Sequence, residues 1–302
     1  MILSVGSAAL GAFRKTSRSA IIRQRGFFMN ETVREILGSR RVKTAAVTLP
    51  VIVFFLAVAP KWFFFLVLLA VLGALIQESW PLFLGERSGF RLRGPVWALV
   101  FLLFFAAYFR GVSGLSGALA IAFFTLVLLL FEAGLEAEAL PRLAMVLLFI
   151  IYLPFFFAHF LLIWDLPEGR SLVAFILMVT WGGDAFSFYC GTYWGKRKLS
   201  PLISPNKTVE GFLAGLFGAV FFALFFKGLG FVSIAWNEII VLGLAANFVG
   251  QMGDLFESFL KRSRGIKDSG SLIPGHGGIL DRLDSVLFAA PVIFYGYSLW
   301  IL

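Results

Sequence analysis

Residues 143–163 read LAMVLLFIIYLPFFFAHFLLI, twenty-one positions without one Asp, Glu, Lys or Arg. An uncharged apolar run of about 18 residues or more is long enough to cross a bilayer as a helix, where every backbone N–H and C=O is satisfied within the segment. Comparable runs, delimited by charge or by Pro and Gly, fall at 44–60, 62–77, 95–109, 112–131, 171–190, 211–226, 233–252 and 286–302. With 143–163 they predict an all-α polytopic integral membrane protein of about nine transmembrane helices, its cytoplasmic polar loops forming the site. Pro60 and Lys61 alone separate the first two runs, so these read as a tight hairpin or as one partly re-entrant segment. The shortest runs would reach roughly 24 Å at ~1.5 Å per residue, against a hydrocarbon core of about 30 Å.

Composition agrees with this reading. Of the 302 residues 60% are hydrophobic and 14% charged, and 37 are Phe, where soluble chains average about 45–50% and about 25%. Too little polar surface remains to cover a water-soluble globule. A disordered chain and a soluble Rossmann enzyme are excluded, and Cys190 is alone, which excludes a disulfide scaffold.

The charges are unevenly placed. There are 26 Lys and Arg against 17 Asp and Glu, a formal +9. Residues 1–43 hold nine of the basic residues, from Arg14 to Lys43, against Glu31 and Glu35, so this arm alone is +7. With no zinc-finger or helix-turn-helix spacing, a nucleic-acid partner is not expected. A basic arm beside a first span is better explained by anionic lipid headgroups and cytoplasmic retention. The weakly apolar stretch from Ile2 to Phe13 precedes the charges, the reverse of a signal peptide, and none is expected. The chain therefore divides into a basic cytoplasmic arm (1–43), an N-terminal transmembrane region (44–170) and a C-terminal transmembrane catalytic region (171–302). Cytoplasmic loops are expected at 78–94, 132–142, 191–210 and 253–285. Loop 191–210 is net +3, which fits an inside location, whereas 132–142 is net −2 and gives it no support. The expected setting is a bacterial inner (plasma) membrane with the N-terminus cytoplasmic; association of copies into a homo-oligomer is compatible with such a chain.

The chemistry concentrates in 250–285, GQMGDLFESFLKRSRGIKDSGSLIPGHGGILDRLDS. If 254–262 is helical, Asp254, Glu257, Ser258 and Lys261 share one face at i, i+3, i+4 and i+7. Asp281 and Asp284 repeat the i, i+3 spacing before the last span. Five acids (Asp254, Glu257, Asp268, Asp281, Asp284) meet five bases (Lys261, Arg262, Arg264, Lys267, Arg282) in this loop, for a formal charge of zero. Retention on the inner face needs only positive charge. Interleaved clusters suit a divalent ion held by carboxylates together with phosphate oxygens neutralised by Lys and Arg. A solvated loop of surface ion pairs is the bland alternative. Asp184, in TWGGDAFSFYCG (180–191), is a charge inside an otherwise neutral run, and such a charge faces protein, water or an ion. Were it to meet the 253–285 loop, the gathered carboxylates would repel one another without a cation. The stretch GKRKLSPLISPNKTVEG (195–211) lacks hydrophobic periodicity; Lys207, Thr208 and Ser204 could contact phosphates, or the segment is a positive-inside linker. A Walker GxxxxGK is absent.

The string SFLKRSRGIKDSGSLIPGHGGILDRLD (258–284), with SPNKTVEG (204–211), GDLFES (253–258), Asp184 and Gly191, resembles the signature of the phosphatidate cytidylyltransferases, or CDP-diacylglycerol synthases. The likeness covers roughly the C-terminal 120 residues. It implies Mg²⁺-dependent transfer of a cytidylyl group from CTP to phosphatidic acid, giving CDP-diacylglycerol and pyrophosphate at a polar site open to the cytoplasm. By the same resemblance Asp184, Asp254, Asp281 and Asp284 would surround the cation, and Lys267 and Asp268 would join Asp254, Asp281 and Asp284 in catalysis. Lys207, Lys261, Arg262, Lys267 and Arg282 would hold phosphates, with Ser204, Ser258, His276, Gly277 and Gly278 adding substrate contacts. Ser187 and Phe188 stand where the family often has Ala-Tyr, and Asn206 where it often has a second Lys; these departures bear on the acceptor lipid more than on the reaction class. A related CTP-dependent enzyme acting on another lipid phosphate or a polyprenol is the nearest rival. A transporter is the rival of a different class, against which no inverted repeat is visible.

Overall fold

The computed structural model describes residues 50–85, 90–133, 138–267, 269–270 and 278–300. Among these described residues, seven helices are long and apolar enough to cross a membrane. They are α1 (Lys61–Leu84), α2 (Phe90–Ala133), α3 (Ala139–Trp164), α4 (Gly169–Trp194), α5 (Val209–Gly228), α6 (Trp236–Ser263) and α7 (Leu280–Trp300). Between α4 and α5 lies an antiparallel hairpin of β1 (Lys198–Ser200) and β2 (Ser204–Thr208). Among the described residues, those from Leu56 onward form one compact unit.

The count of seven differs from the expected nine for identifiable reasons. The expected runs at 95–109 and 112–131 are both helical, two helices counted together as α2 that meet at Gly111, whose φ of 61° and ψ of −142° form a conformation that only glycine adopts without strain. A β-carbon on Gly114 would overlap the carbonyl oxygen of Ala106. Those residues lie about 12 Å apart along a straight helix, so the chain doubles back here. Of the run at 44–60, residues 44–49 lie outside the described residues and 50–58 are helical. The basic arm 1–43 also lies outside them.

The helices outrun the apolar stretches that announced them. The expected 171–190 becomes a helix to Trp194, and 233–252 becomes a helix to Ser263. Hydropathy marks where lipid ends, not where i→i−4 hydrogen bonding ends, so α4 and α6 carry polar turns beyond their apolar centres. In α3 the residues Ile151–Phe155 form a π turn around Pro154, which supplies no N–H to the ladder. Below it His159, fully buried, hydrogen bonds through Nδ1 with the carbonyl of Phe155 at 2.8 Å.

Small residues let the C-terminal helices approach closely, the usual device where lipid offers no hydrophobic drive between helices. On α4, a β-carbon at Gly182 would overlap the Phe222 ring of α5, and one at Gly183 the Asn247 amide of α6. The buried amides of α6 use this proximity. Asn247 Nδ2 donates to the Val179 carbonyl of α4 at 3.0 Å, and Gln251 Nε2 donates to Asn247 Oδ1 at 2.8 Å and to the Phe212 carbonyl of α5 at 3.3 Å. Buried polar groups must be paired, so this ladder fixes the rotation of α6 against its neighbours. One turn further along lies Asp254.

Candidate active site

One end of the bundle gathers the polar turns. The opposite end is tied by simpler contacts: Lys61 Nζ to Asp165 Oδ2 at 2.8 Å, and the Glu168 carboxylate to the Ser233 N–H at 2.8 and 3.0 Å. At the polar end α6 presents Asp254, Glu257, Ser258 and Lys261 along its last turns, the face expected from their spacing. Ser258 Oγ lies 3.5 Å from Asp254 Oδ1, and Lys261 Nζ lies 2.6 Å from Glu257 Oε2. From α7, Asp281 Oδ1 meets the same Lys261 Nζ at 2.6 Å. One ammonium thus joins two carboxylates on neighbouring helices.

The hairpin brings in the second cation. Thr208 caps α5, its Oγ1 accepting the Gly211 N–H at 3.1 Å, the N-terminal pairing that threonine supplies well. Glu210 Oε2 accepts the N–H groups of Lys196 and Arg197 at 3.0 and 3.1 Å. These bonds secure both feet of the β-ribbon, and Lys207 on β2 reaches Asp254 Oδ2 at 2.6 Å. The segment 195–211, which lacks hydrophobic periodicity, therefore contains a small sheet fixed at its base.

Three carboxylates, Asp254, Glu257 and Asp284, bring oxygens within 4.8 Å of one another. Glu257 and Asp284 are buried, and Glu257 Oε1 has no hydrogen-bond partner among the described residues. A buried carboxylate with an orphaned oxygen, grouped with two further acids, is the donor set of a hard, oxygen-seeking cation. The triad could coordinate a divalent ion. Asp184 on α4 adjoins it: Ser285 Oγ donates to Asp184 Oδ2 at 3.3 Å, while the Ser285 N–H donates to Asp284 Oδ1 at 2.6 Å. A β-carbon at Gly253 would overlap the Asp284 carbonyl, so α6 and α7 touch at backbone distance where their acids meet. Beside it, the buried Tyr152 ring meets Phe256 edge-on at 5.2 Å and tilts toward Phe288 at 5.7 Å, an aromatic layer against the acidic cluster.

The residues named from sequence thus divide plainly. Asp184, Lys207, Asp254, Ser258, Lys261, Asp281 and Asp284 come together. Asp281 has its oxygens engaged by Lys261, by the Gly278 N–H at 2.9 Å and by the Ser269 N–H at 3.2 Å. Arg262 is exposed and turns to the carbonyls of Ile203 at 3.4 Å and Ile266 at 3.1 Å, linking α6 to the hairpin. Lys267 and Arg282 are exposed at the same end, and Ser204 begins β2. Asp268, His276 and Gly277 lie outside the described residues. Glu257, noted on the α6 face but not among the expected cation ligands, belongs to the acidic triad. Glu78 is a further residue at this end that the sequence does not point to. It comes from α1, and Oε2 accepts the N–H groups of Ile279 and Leu280 at 2.7 and 3.1 Å. Nothing local in the sequence marks it, since its partners lie some 200 residues away.

A profile of the "Cytidylyltransferase family" matches residues 39–300. The chain is 37% identical over 204 residues to the "Phosphatidate cytidylyltransferase" of Bacillus subtilis (strain 168), a match spanning 67% of this chain and 76% of that protein. It is 45% identical over 128 residues to the protein of the same name from Staphylococcus aureus (strain COL), spanning 42% of this chain and 48% of that one. A Staphylococcus saprophyticus protein of that name is 43% identical over 126 residues, with the same shares. The matched stretch is thus about half the length of the staphylococcal proteins.

Proposed function

This chain belongs to the cytidylyltransferase family, and on that footing we propose that it transfers CMP from CTP to phosphatidic acid, releasing pyrophosphate and leaving CDP-diacylglycerol in the bilayer. The observation that carries the proposal is the meeting of an acidic triad, Asp254, Glu257 and Asp284, with two ammonium groups, Lys207 and Lys261, at one end of a membrane bundle.

In the reaction a phosphate oxygen of phosphatidate forms a bond to the α-phosphorus of CTP, and the bond from that phosphorus to the β-phosphate bridging oxygen breaks. The bridging electrons leave with pyrophosphate. The nucleophile is already anionic, so no general base is needed; charge neutralisation and in-line positioning carry the rate. This accounts for a site of carboxylates and cations without a Ser/His/Asp triad. Asp254, Glu257 and Asp284 are the residues that would hold Mg²⁺, with Asp184 and Asp281 beside them. Bound there, the ion supplies neutralisation of charge on the phosphate oxygens. Lys207 and Lys261 are held at the site by carboxylates and can exchange those partners for phosphate oxygens when the nucleotide enters. Arg262, Lys267 and Arg282, with Ser204, Ser258 and Gly278, line the approach, and Asp268, His276 and Gly277 remain assigned to the same loop. Acyl chains stay in lipid while the headgroup reaches the polar end.

That end faces the cytosol. Lys196 and Arg197 precede its hairpin and Lys198 and Lys207 lie in it, and short loops rich in Lys and Arg stay inside. The setting is then the inner membrane, and the net basic charge of residues 1–43 suits anionic headgroups. Detergent-purified protein given CTP labelled in the cytidine, Mg²⁺ and phosphatidic acid should yield lipid-linked CMP with stoichiometric pyrophosphate. Formation of CDP with a newly phosphorylated lipid would make the chain a kinase and overturn the proposal.

A further inference from the structure

We propose that Glu78 is a positioning residue for this reaction, an anchor on α1 that sets the first turn of α7 and through it Asp281 and Asp284. The proposal rests on the reading of the acidic triad as a cation site for CMP transfer, and it adds a residue from the N-terminal half to a site otherwise built from 184–285.

Glu78 is an acid near the end of an apolar helix, 7% exposed, and no Lys or Arg side chain is paired with it among the described residues. A buried carboxylate persists only where hydrogen bonds replace its water. Here three do so. Ile279 N–H at 2.7 Å and Leu280 N–H at 3.1 Å donate to Oε2, and Ser269 Oγ donates to Oε1 at 2.9 Å. The two amides sit at the start of α7, where a helix leaves its N–H groups without internal partners. A local Ser, Thr or Asp usually accepts them, but the position before Leu280 is Ile279, which cannot. Glu78 therefore caps α7 from another helix, with its negative charge at the positive end of the helix dipole.

Two glycines make room for it. A β-carbon on Gly270 or on Gly278 would overlap Glu78 Oε1. Neither backbone has a positive φ, so what these positions require is close approach rather than an unusual conformation. Asp281 completes the clamp from the other side, accepting the N–H groups of Ser269 and Gly278. Residues 269 and 278–280 are thus pinned between two carboxylates. Asp284 lies one turn further along α7, so a shift of the α7 start moves it relative to Asp254 and Glu257, which belong to α6. Both Glu78 oxygens are already engaged, which separates this role from that of a ligand.

The experiment uses the full chain in nanodiscs, comparing wild type, Glu78→Ala and Glu78→Gln. One arm follows amide hydrogen exchange in peptides covering 278–285, with 293–300 as internal reference. The other titrates Mg²⁺ for half-maximal CMP transfer. Loss of charge-assisted hydrogen bonds to two amides should speed exchange about tenfold or more in Glu78→Ala and raise the half-saturating Mg²⁺ about tenfold. Glu78→Gln keeps one acceptor oxygen for both amides and should stay within about threefold of wild type in both arms. Unchanged exchange at 278–285 would overturn the anchor. Faster exchange with an unchanged Mg²⁺ requirement would reduce Glu78 to a stabilising contact and overturn its positioning role. If wild type shows no Mg²⁺-dependent transfer, the functional reading fails while the exchange arm still decides the anchor. Should Glu78→Ala not fold, Glu78→Asp, one methylene too short to span both amides and Ser269, takes its place with the same expectations.

Discussion

Lys261→Met removes the one ammonium that joins Glu257 on α6 to Asp281 on α7, each at 2.6 Å. The three side chains are 11%, 1% and 13% exposed, so water can screen little of what is left behind. Breaking a buried pair while leaving its partner charged costs about 3–5 kcal/mol. At ~2–3 °C per kcal/mol for a chain of this size, the midpoint should fall by roughly 6–15 °C. Thermal unfolding in detergent with a chelator present, followed by tryptophan fluorescence, measures it. Adding Glu257→Gln to Lys261→Met removes one stranded charge and should restore about 1–3 kcal/mol, a coupling typical of residues in direct contact. Asp281 stays satisfied by the Gly278 and Ser269 amides. Mg²⁺ should also stabilise Lys261→Met more than wild type, because the ion no longer competes with the ammonium for Glu257; occupancy at a hundred times Kd is worth about 2.7 kcal/mol. A Lys261→Met protein that melts with wild type, or a double variant no more stable than the single, would refute this electrostatic account.

Other expectations concern single positions. Asp281→Asn should leave the protein inserted and folded yet nearly abolish turnover, since it loosens Lys261 beside the triad; normal Mg²⁺-dependent activity there would contradict the assignment. Gly183→Ala places a methyl into the Asn247 amide and should cost about 1–3 kcal/mol, as overpacking does, read as a lower melting midpoint with the Mg²⁺ requirement unchanged in the folded fraction. Thr208→Ala removes the cap of α5 and should cost about 1 kcal/mol, with a rise in the KM for CTP as the hairpin bearing Lys207 loosens.

Much of this was legible in the chain, for local reasons. The uncharged run at 143–163 could only be a buried or spanning helix, and it is α3. The i, i+3, i+4, i+7 spacing from Asp254 to Lys261 required only that the helix continue past its apolar part, and α6 does so to Ser263. Arg110 and Gly111 marked a break between two apolar runs; the chain turns there, although both limbs belong to α2. What was hidden depended on partners far away in sequence. Glu78 looked like one acid at the edge of an expected loop, because helix α1 runs on through Pro81 to Leu84 and its ligands come from 269–280. Lys196 to Thr208 has no alternation long enough to announce strands, and its two strands are only 3 and 5 residues long; Glu210 and Thr208 hold it from the base. Glu257 shared a face with Asp254, but spacing cannot say which of several acids on two helices meet, a matter decided by how closely Gly253 lets α7 approach.

The central claim is that carboxylates from α6 and α7 hold a divalent cation at the polar end of the bundle. Anomalous diffraction from crystals of the full chain grown with Mn²⁺ locates such an ion without reference to activity. A single strong peak within ligand distance of Asp254, Glu257 and Asp284, absent in Asp284→Asn, is the predicted result. Saturating Mn²⁺ with no peak there, or a peak that persists unchanged in Asp284→Asn, would contradict it.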